Sequence, residues 1–136
     1  MANPRSFISF DFDHNETDKN LFVGQSRNSK TPFSIEDWSA KSEMPQDKWR
    51  EIVENKINYC NVLIVLVGQY MASATGVESE IKMSIRNNVP FFGVYVDGAN
   101  SNSNLPSSLS RGRVVFWDWS EIANAIDQCM KEGKNN

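Results

Sequence analysis

Val62-Leu63-Ile64-Val65-Leu66-Val67 runs for six residues without a polar side chain. A strand with one face in water alternates polar and apolar residues, so an unbroken apolar run reads as a strand covered on both faces, as in parallel sheets. The run is far shorter than the ~20 apolar residues of a membrane span. Ser6 to Phe10, Val89 to Asp97 and Arg113 to Trp117 have similar strand-like composition, and Pro32 to Glu36 reads as a short edge strand. The segments between them change period. Pro45 to Cys60 places Trp49, Ile52, Val53, Ile57 and Cys60 at spacings of three and four, behind a proline suited to a first helical turn. Gly76 to Asn88 carries Val77, Ile81, Ser84 and Ile85 on one stripe, and Thr17 to Asn28 forms a weaker helical segment. Ser120 reads as the N-cap of a last helix bearing Ile122, Ala123, Ile126, Cys129 and Met130. Strands alternating with helices predict a three-layer α/β fold: a central five-stranded parallel sheet in flavodoxin-like order, with right-handed crossovers.

The 136 residues accommodate one such domain, expected over 1–136. With 40% hydrophobic and 23% charged residues, the chain is far from the composition of disordered proteins. Its net charge of -3 leaves no positive surplus for a nucleic-acid backbone. Cys60 and Cys129 form no CxxC pair, and this sparing cysteine use suits a reducing compartment. The start, Met-Ala-Asn-Pro-Arg-Ser, has no signal-peptide apolar region. The expectation is a cytoplasmic protein that binds neither nucleic acid nor membrane.

In open α/β sheets, ligands bind beyond the carboxyl ends of the strands, near the switch in strand order. That rule selects Asp11 to Asp18, Glu36 to Glu43, Gln69 to Gly76 and the long Gly98 to Gly112 segment, whose length implies function or mobility. Asp11-Phe12-Asp13-His14-Asn15 brings two carboxylates and the single histidine to this edge. A response-regulator receiver would also need an aspartate at the end of the central strand, where Gly68-Gln69 stands. A haloacid-dehalogenase-type phosphatase would use DxDx[TV], with Asp11 as nucleophile, Asp13 as acid and base, and Mg²⁺; Asn15 takes the place of Thr or Val. A calcium loop fails at Glu16 and Phe22, where glycine and a bidentate acid belong. Helix capping is the simpler use of these polar groups. Gly24 to Thr31 approaches the phosphate-cradling GxxxxGK[ST] but has Ser29 for its second glycine and follows no buried strand.

The richest constellation is Gly68-Gln-Tyr70-Met-Ala-Ser73-Ala-Thr75-Gly-Val-Glu78-Ser-Glu80-Ile81-Lys-Met-Ser84-Ile85. It resembles the TIR (Toll and interleukin receptor) family pattern S-x-x-Y-x-x-S-x-W-C-x-x-E-L, with Tyr70 and Glu80 at matching positions. Gly76 stands for the family tryptophan and Ala74 for the serine before it. Phe7-Ile8-Ser9-Phe10 resembles the family's opening F-I-S-Y. Glu80-Ile-Lys-Met-Ser-Ile85 and Phe92-Gly93-Val94-Tyr95-Val96 are most similar to the TIR-like branch of bacterial Thoeris antiphage defence.

The resemblance implies an enzyme that splits the nicotinamide glycosidic bond of NAD⁺ and makes a cyclic or conjugated ADP-ribose-derived signal, with NAD⁺ as substrate and neither cofactor nor metal required. It makes Glu80 the catalytic residue. The structural alternative is a solvated helix residue near Lys82 and Arg86. Phe10 and Phe12 are candidates to stack on nicotinamide or adenine, and Asp11 and Asp13 to bind ribose hydroxyls. Asp37, Trp38, Tyr70 and Ser73 complete the expected substrate contacts. Trp117 and Trp119 form a further aromatic pair at a strand end. Expected partners are other TIR-like chains or further copies of this one, and a separate effector that senses the product. A noncatalytic TIR-like interaction module is the competing expectation, and the missing tryptophan is its support.

Overall fold

The computed structural model describes residues 4–28, 34–36 and 46–133. The elements follow the order β1 (Arg5–Ser9), α1 (Glu16–Asn28), β2 (Ser34–Glu36), α2 (Gln46–Tyr59), β3 (Val62–Val67), α3 (Thr75–Arg86), β4 (Phe91–Tyr95), β5 (Val114–Val115) and α4 (Trp119–Glu132). All strand pairs are parallel, and the sheet order is β2-β1-β3-β4-β5, that of flavodoxin-like sheets. Four strands have three or more residues; the fifth, expected from Arg113 to Trp117, shrinks to a two-residue ladder. A 3₁₀ turn at Arg111–Arg113 consumes its start, and Phe116 is exposed.

β3 occupies the centre, between β1 and β4, with Ile64 opposite Ile8 and Phe92. Its side chains alternate between two cores. Leu63, Val65 and Val67 join Phe7, Val53, Ile57, Val77 and Ile81 in the layer beneath α2 and α3. Val62, Ile64 and Leu66 join Ile8, Phe22, Phe92, Ile122 and Ile126 beneath α1 and α4. Every β3 side chain is fully buried, each contributing roughly 1.5–3 kcal/mol by transfer from water.

Two sequence expectations change at the helices. α4 starts at Trp119, and its N-cap is Asp118 rather than Ser120, because the Asp118 side chain accepts from the backbone N–H groups of Ser120 and Glu121. The Ser120 hydroxyl also donates to Asp118, and these bonds lower the Asp118 pKa. On α3, the buried stripe is Val77, Glu80, Ile81 and Ser84, while Ile85 is 50% exposed. Gly24 to Asn28 is helical, so no phosphate-cradling loop forms there. No helix among the described residues is long and apolar enough to cross a membrane.

Arg113 fastens the β5 side of the sheet. Its guanidinium donates to the Phe91 carbonyl oxygen at 2.8 and 3.1 Å and to both carboxylate oxygens of Glu132 at 2.8 Å. It also lies 3.6 Å from Cys129 Sγ, whose pKa burial pushes up to about 11.

The long segment after β4 is tied down. Leu109 is buried and Leu105 packs against the α2/α3 core. Glu78 accepts from the Ser107 N–H and hydroxyl, both at 2.9 Å, and from the Ser108 hydroxyl at 2.8 Å. Burial raises the Glu78 pKa, but the Ser108 and Ser107 hydrogen bonds outweigh it, and the net displacement is downward from 4.5. A carboxyl with a depressed folded-state pKa contributes stability above its unfolded value and loses it as pH falls through the folded one.

Ile64→Ala should lower unfolding stability by about 2–5 kcal/mol, read from the denaturant midpoint, because it opens a cavity between the sheet and the α1/α4 layer. Limited proteolysis between 98 and 112 should be slow at neutral pH and accelerate below about pH 4.5. Glu78→Gln should make that segment cleavable at neutral pH and flatten the acid response.

Candidate functional site

The strand order reverses between β1 and β3, so the crevice beyond their carboxyl ends is the topological switch point. Alternation along β1 sends Phe7 and Ser9 to the α2/α3 side and Ile8 and Phe10 to the α1/α4 side. Glu80 projects from α3 towards the same place and is 0% exposed. The Ser9 hydroxyl donates to Glu80 Oε1 at 2.6 Å, joining residues 71 positions apart in the chain. A buried carboxyl is costly without hydrogen bonds, and a short O–H···O contact offsets part of that cost. Glu80 is therefore not a solvated helix residue: it fills the i+3 position of a buried stripe that begins at Val77.

Asp11 lies just past the end of β1 and is 7% exposed. Its Oδ1 accepts the Asp13 N–H at 3.1 Å, and its Oδ2 lies 2.7 Å from His14 Nδ1. The His14 ring stacks on Tyr70, with centroids 3.9 Å apart and planes 19° from parallel. Tyr70 comes from the β3–α3 connection and is 49% exposed. The next turn is held by Ser73, whose hydroxyl donates to the Tyr70 carbonyl oxygen at 3.2 Å. Asp11, His14, Tyr70 and Ser73 thus form one continuous assembly across the mouth of the β1–β3 crevice.

Asn15 closes the crevice on the α1 side. It is fully buried; its Nδ2 donates to Asp18 at 2.9 Å, and its Oδ1 has no hydrogen-bond partner. A Cβ at position 68 would overlap the Asn15 amide, so glycine is required where the chain leaves β3. Gly68, read in sequence as a missing receiver aspartate, is the space into which Asn15 fits.

The other expected contacts separate. Asp13 is exposed, next to its partner Asp11. Phe12 is half-buried and packs at 5.8 Å from Phe10. Phe10 itself is 3% exposed in the α1/α4 core, with the Lys19 ammonium 5.5 Å from its ring centre. Strand alternation turns Phe10 away from Glu80, which removes it from the stacking surface. Asp37 and Trp38 lie outside the described residues. Trp117 and Trp119 pack on Phe22 beneath α1.

The family of the Thoeris protein ThsB, TIR-like domain, matches residues 7–101. The chain belongs to this TIR-like family. The match runs from β1 through β4 and includes Ser9, Asp11, His14, Tyr70 and Glu80. It makes the chain a TIR-like protein related to Thoeris defence. No curated protein matches the chain.

Sequence reasoning missed Ser9, since a serine inside Phe7-Ile8-Ser9-Phe10 reads as a family letter rather than as a donor to a distant helix. A signal for Glu80 burial was present in the spacing Val77, Glu80, Ile81, Ser84, an i, i+3, i+4, i+7 series with one carboxyl in it. Ser9→Ala deprives Glu80 of a buried donor and should cost about 1–3 kcal/mol in unfolding stability, measured by chemical denaturation. An unchanged midpoint would show that the bond has no net worth.

Proposed function

We propose that this chain cleaves the nicotinamide glycosidic bond of NAD⁺ and forms an ADP-ribose-derived signal in antiphage defence. The observation that carries this reading is Glu80, fully buried at the switch point and held by Ser9, in a chain of the TIR-like family. Departure of nicotinamide leaves positive charge on the ribose C1′, and a positioned carboxylate beside it stabilises that charge and orients the ribose hydroxyls. The Ser9 hydroxyl fixes the rotamer of Glu80. Phe12 and Tyr70 offer ring faces to the substrate, and Asp11 and Asp13 offer acceptors to its hydroxyls. Glu80 is sealed from water in this conformation, so catalysis requires the loops at the carboxyl edge to open. Self-association or binding to another TIR-like chain is the event we assign to that opening. The product then acts on a separate effector, in the cytoplasm.

Complete burial of Glu80 also favours a second reading, a noncatalytic module that assembles through TIR-like surfaces, as does Gly76 at the family's tryptophan position. Nicotinamide release from NAD⁺ at high protein concentration separates the two. Wild type should release nicotinamide, and Glu80→Gln should lose at least about a hundredfold in rate, since it keeps the shape but not the charge. Equal release by both proteins would sink the assignment of Glu80. Absence of release from concentrated wild type, with self-association intact, would favour the interaction module.

A further inference from the structure

We infer that His14, oriented by Asp11, is the base that activates the acceptor attacking the ribose after nicotinamide leaves. This inference rests on the NAD⁺ reading above and concerns the second half of that reaction. Asp11 is an acceptor only, so its 2.7 Å contact fixes the proton of a neutral His14 on Nδ1 and leaves the lone pair on Nε2. Among the described residues Nε2 has no hydrogen-bond partner, and the His14 side chain is 41% exposed. Asp11 is itself held by the Asp13 N–H, and the Tyr70 stack fixes the plane of the imidazole. The tautomer is therefore set by a contact within the β1–α1 connection itself, which does not depend on the Tyr70 stack and so does not require the mouth to stay closed. This is the arrangement of a histidine base backed by a carboxylate.

Glu80 and His14 divide the chemistry. The C1′–N1 bond breaks first, its electron pair leaves with nicotinamide, and Glu80 faces the resulting charge. A hydroxyl acceptor, water in the simplest case, then forms the new C1′–O bond and gives its proton to His14 Nε2. Asp11 stabilises the imidazolium that results, and the proton passes to solvent. NAD⁺ and ROH thus yield nicotinamide, the O-linked ADP-ribosyl product and one proton.

Only the second half needs a base, so exchange of labelled free nicotinamide into NAD⁺ reports the first half alone. For His14→Gln, exchange should continue while net product formation falls by roughly a hundredfold. His14→Ala should behave similarly and regain product formation when free imidazole is added, which a merely structural role would not allow. Asp11→Asn, which also weakens an acceptor for the ribose hydroxyls, should lower exchange and lower product formation further, and Glu80→Gln should lose exchange and product together. Thermal melts of the histidine variants that match wild type show that the fold is retained. Full product formation by His14→Gln, parallel loss of exchange and product in it, or failure of imidazole to rescue His14→Ala overturns the assignment of His14 while leaving that of Glu80 in place. A wild type that neither exchanges nor releases nicotinamide overturns the NAD⁺ reading itself.

Discussion

Water is excluded from both faces of Val62–Val67, and that requirement organises the rest of the chain. One face needs α2 and α3 above it, the other α1 and α4, because a single apolar layer cannot cover both. Helices that cross between parallel strands return the chain to the same end of the sheet each time, so all carboxyl ends gather at one edge. Ser9, Asp11, Gly68 and Tyr70 meet there for that reason, although the β1 and β3 segments are far apart in sequence. The site is a by-product of how a doubly buried strand must be wrapped.

Within that frame Glu80 is an energetic exception. Its neighbours on the stripe, Val77 and Ile81, are apolar, and a well-packed hydrophobe at position 80 would commonly be neutral or more stable. The fold tolerates the carboxyl because Ser9 meets it at 2.6 Å. Asn15 is a second exception, a buried amide with an unpartnered oxygen beside a glycine that makes room for it. Such departures from an apolar interior cluster where sites are built, and both of these flank the β1–β3 crevice.

The sheet and its helices were legible because their signals are local. Six consecutive apolar residues report burial of β3, and spacings of three and four report α2 and α3. Ends were less legible. Asp118 and Ser120 are both good caps, and only the backbone donors they face decide between them. Glu80, at the margin of the expected stripe, is fully buried and Ile85 is exposed, because a stripe drawn through Val77 and Ile81 can lean to either side, and the Ser9 contact from β1 lies on the Glu80 side. Phe10 and Phe12 look equivalent in sequence, yet Phe10 is buried within the α1/α4 core and Phe12 is only partly buried against it. The Ser9 to Glu80 bond links two segments with no local period in common, so no reading of either one reveals it.

The interaction of Arg113 with the Phe91 carbonyl has a consequence for how the molecule behaves among copies of itself. β5 pairs with β4 only at Gly93 and Val94, which leaves the first residues of β4, paired with β3 on one side, without a strand on the other. An open row of backbone acceptors of this kind is a template for a strand from another molecule. Arg113 occupies the Phe91 acceptor with two N–H groups and is locked in place by Glu132 from α4. A side chain thus takes the place of a strand partner where pairing has run out, and another molecule could pair at Phe91 only by displacing Arg113 from both the carbonyl and Glu132.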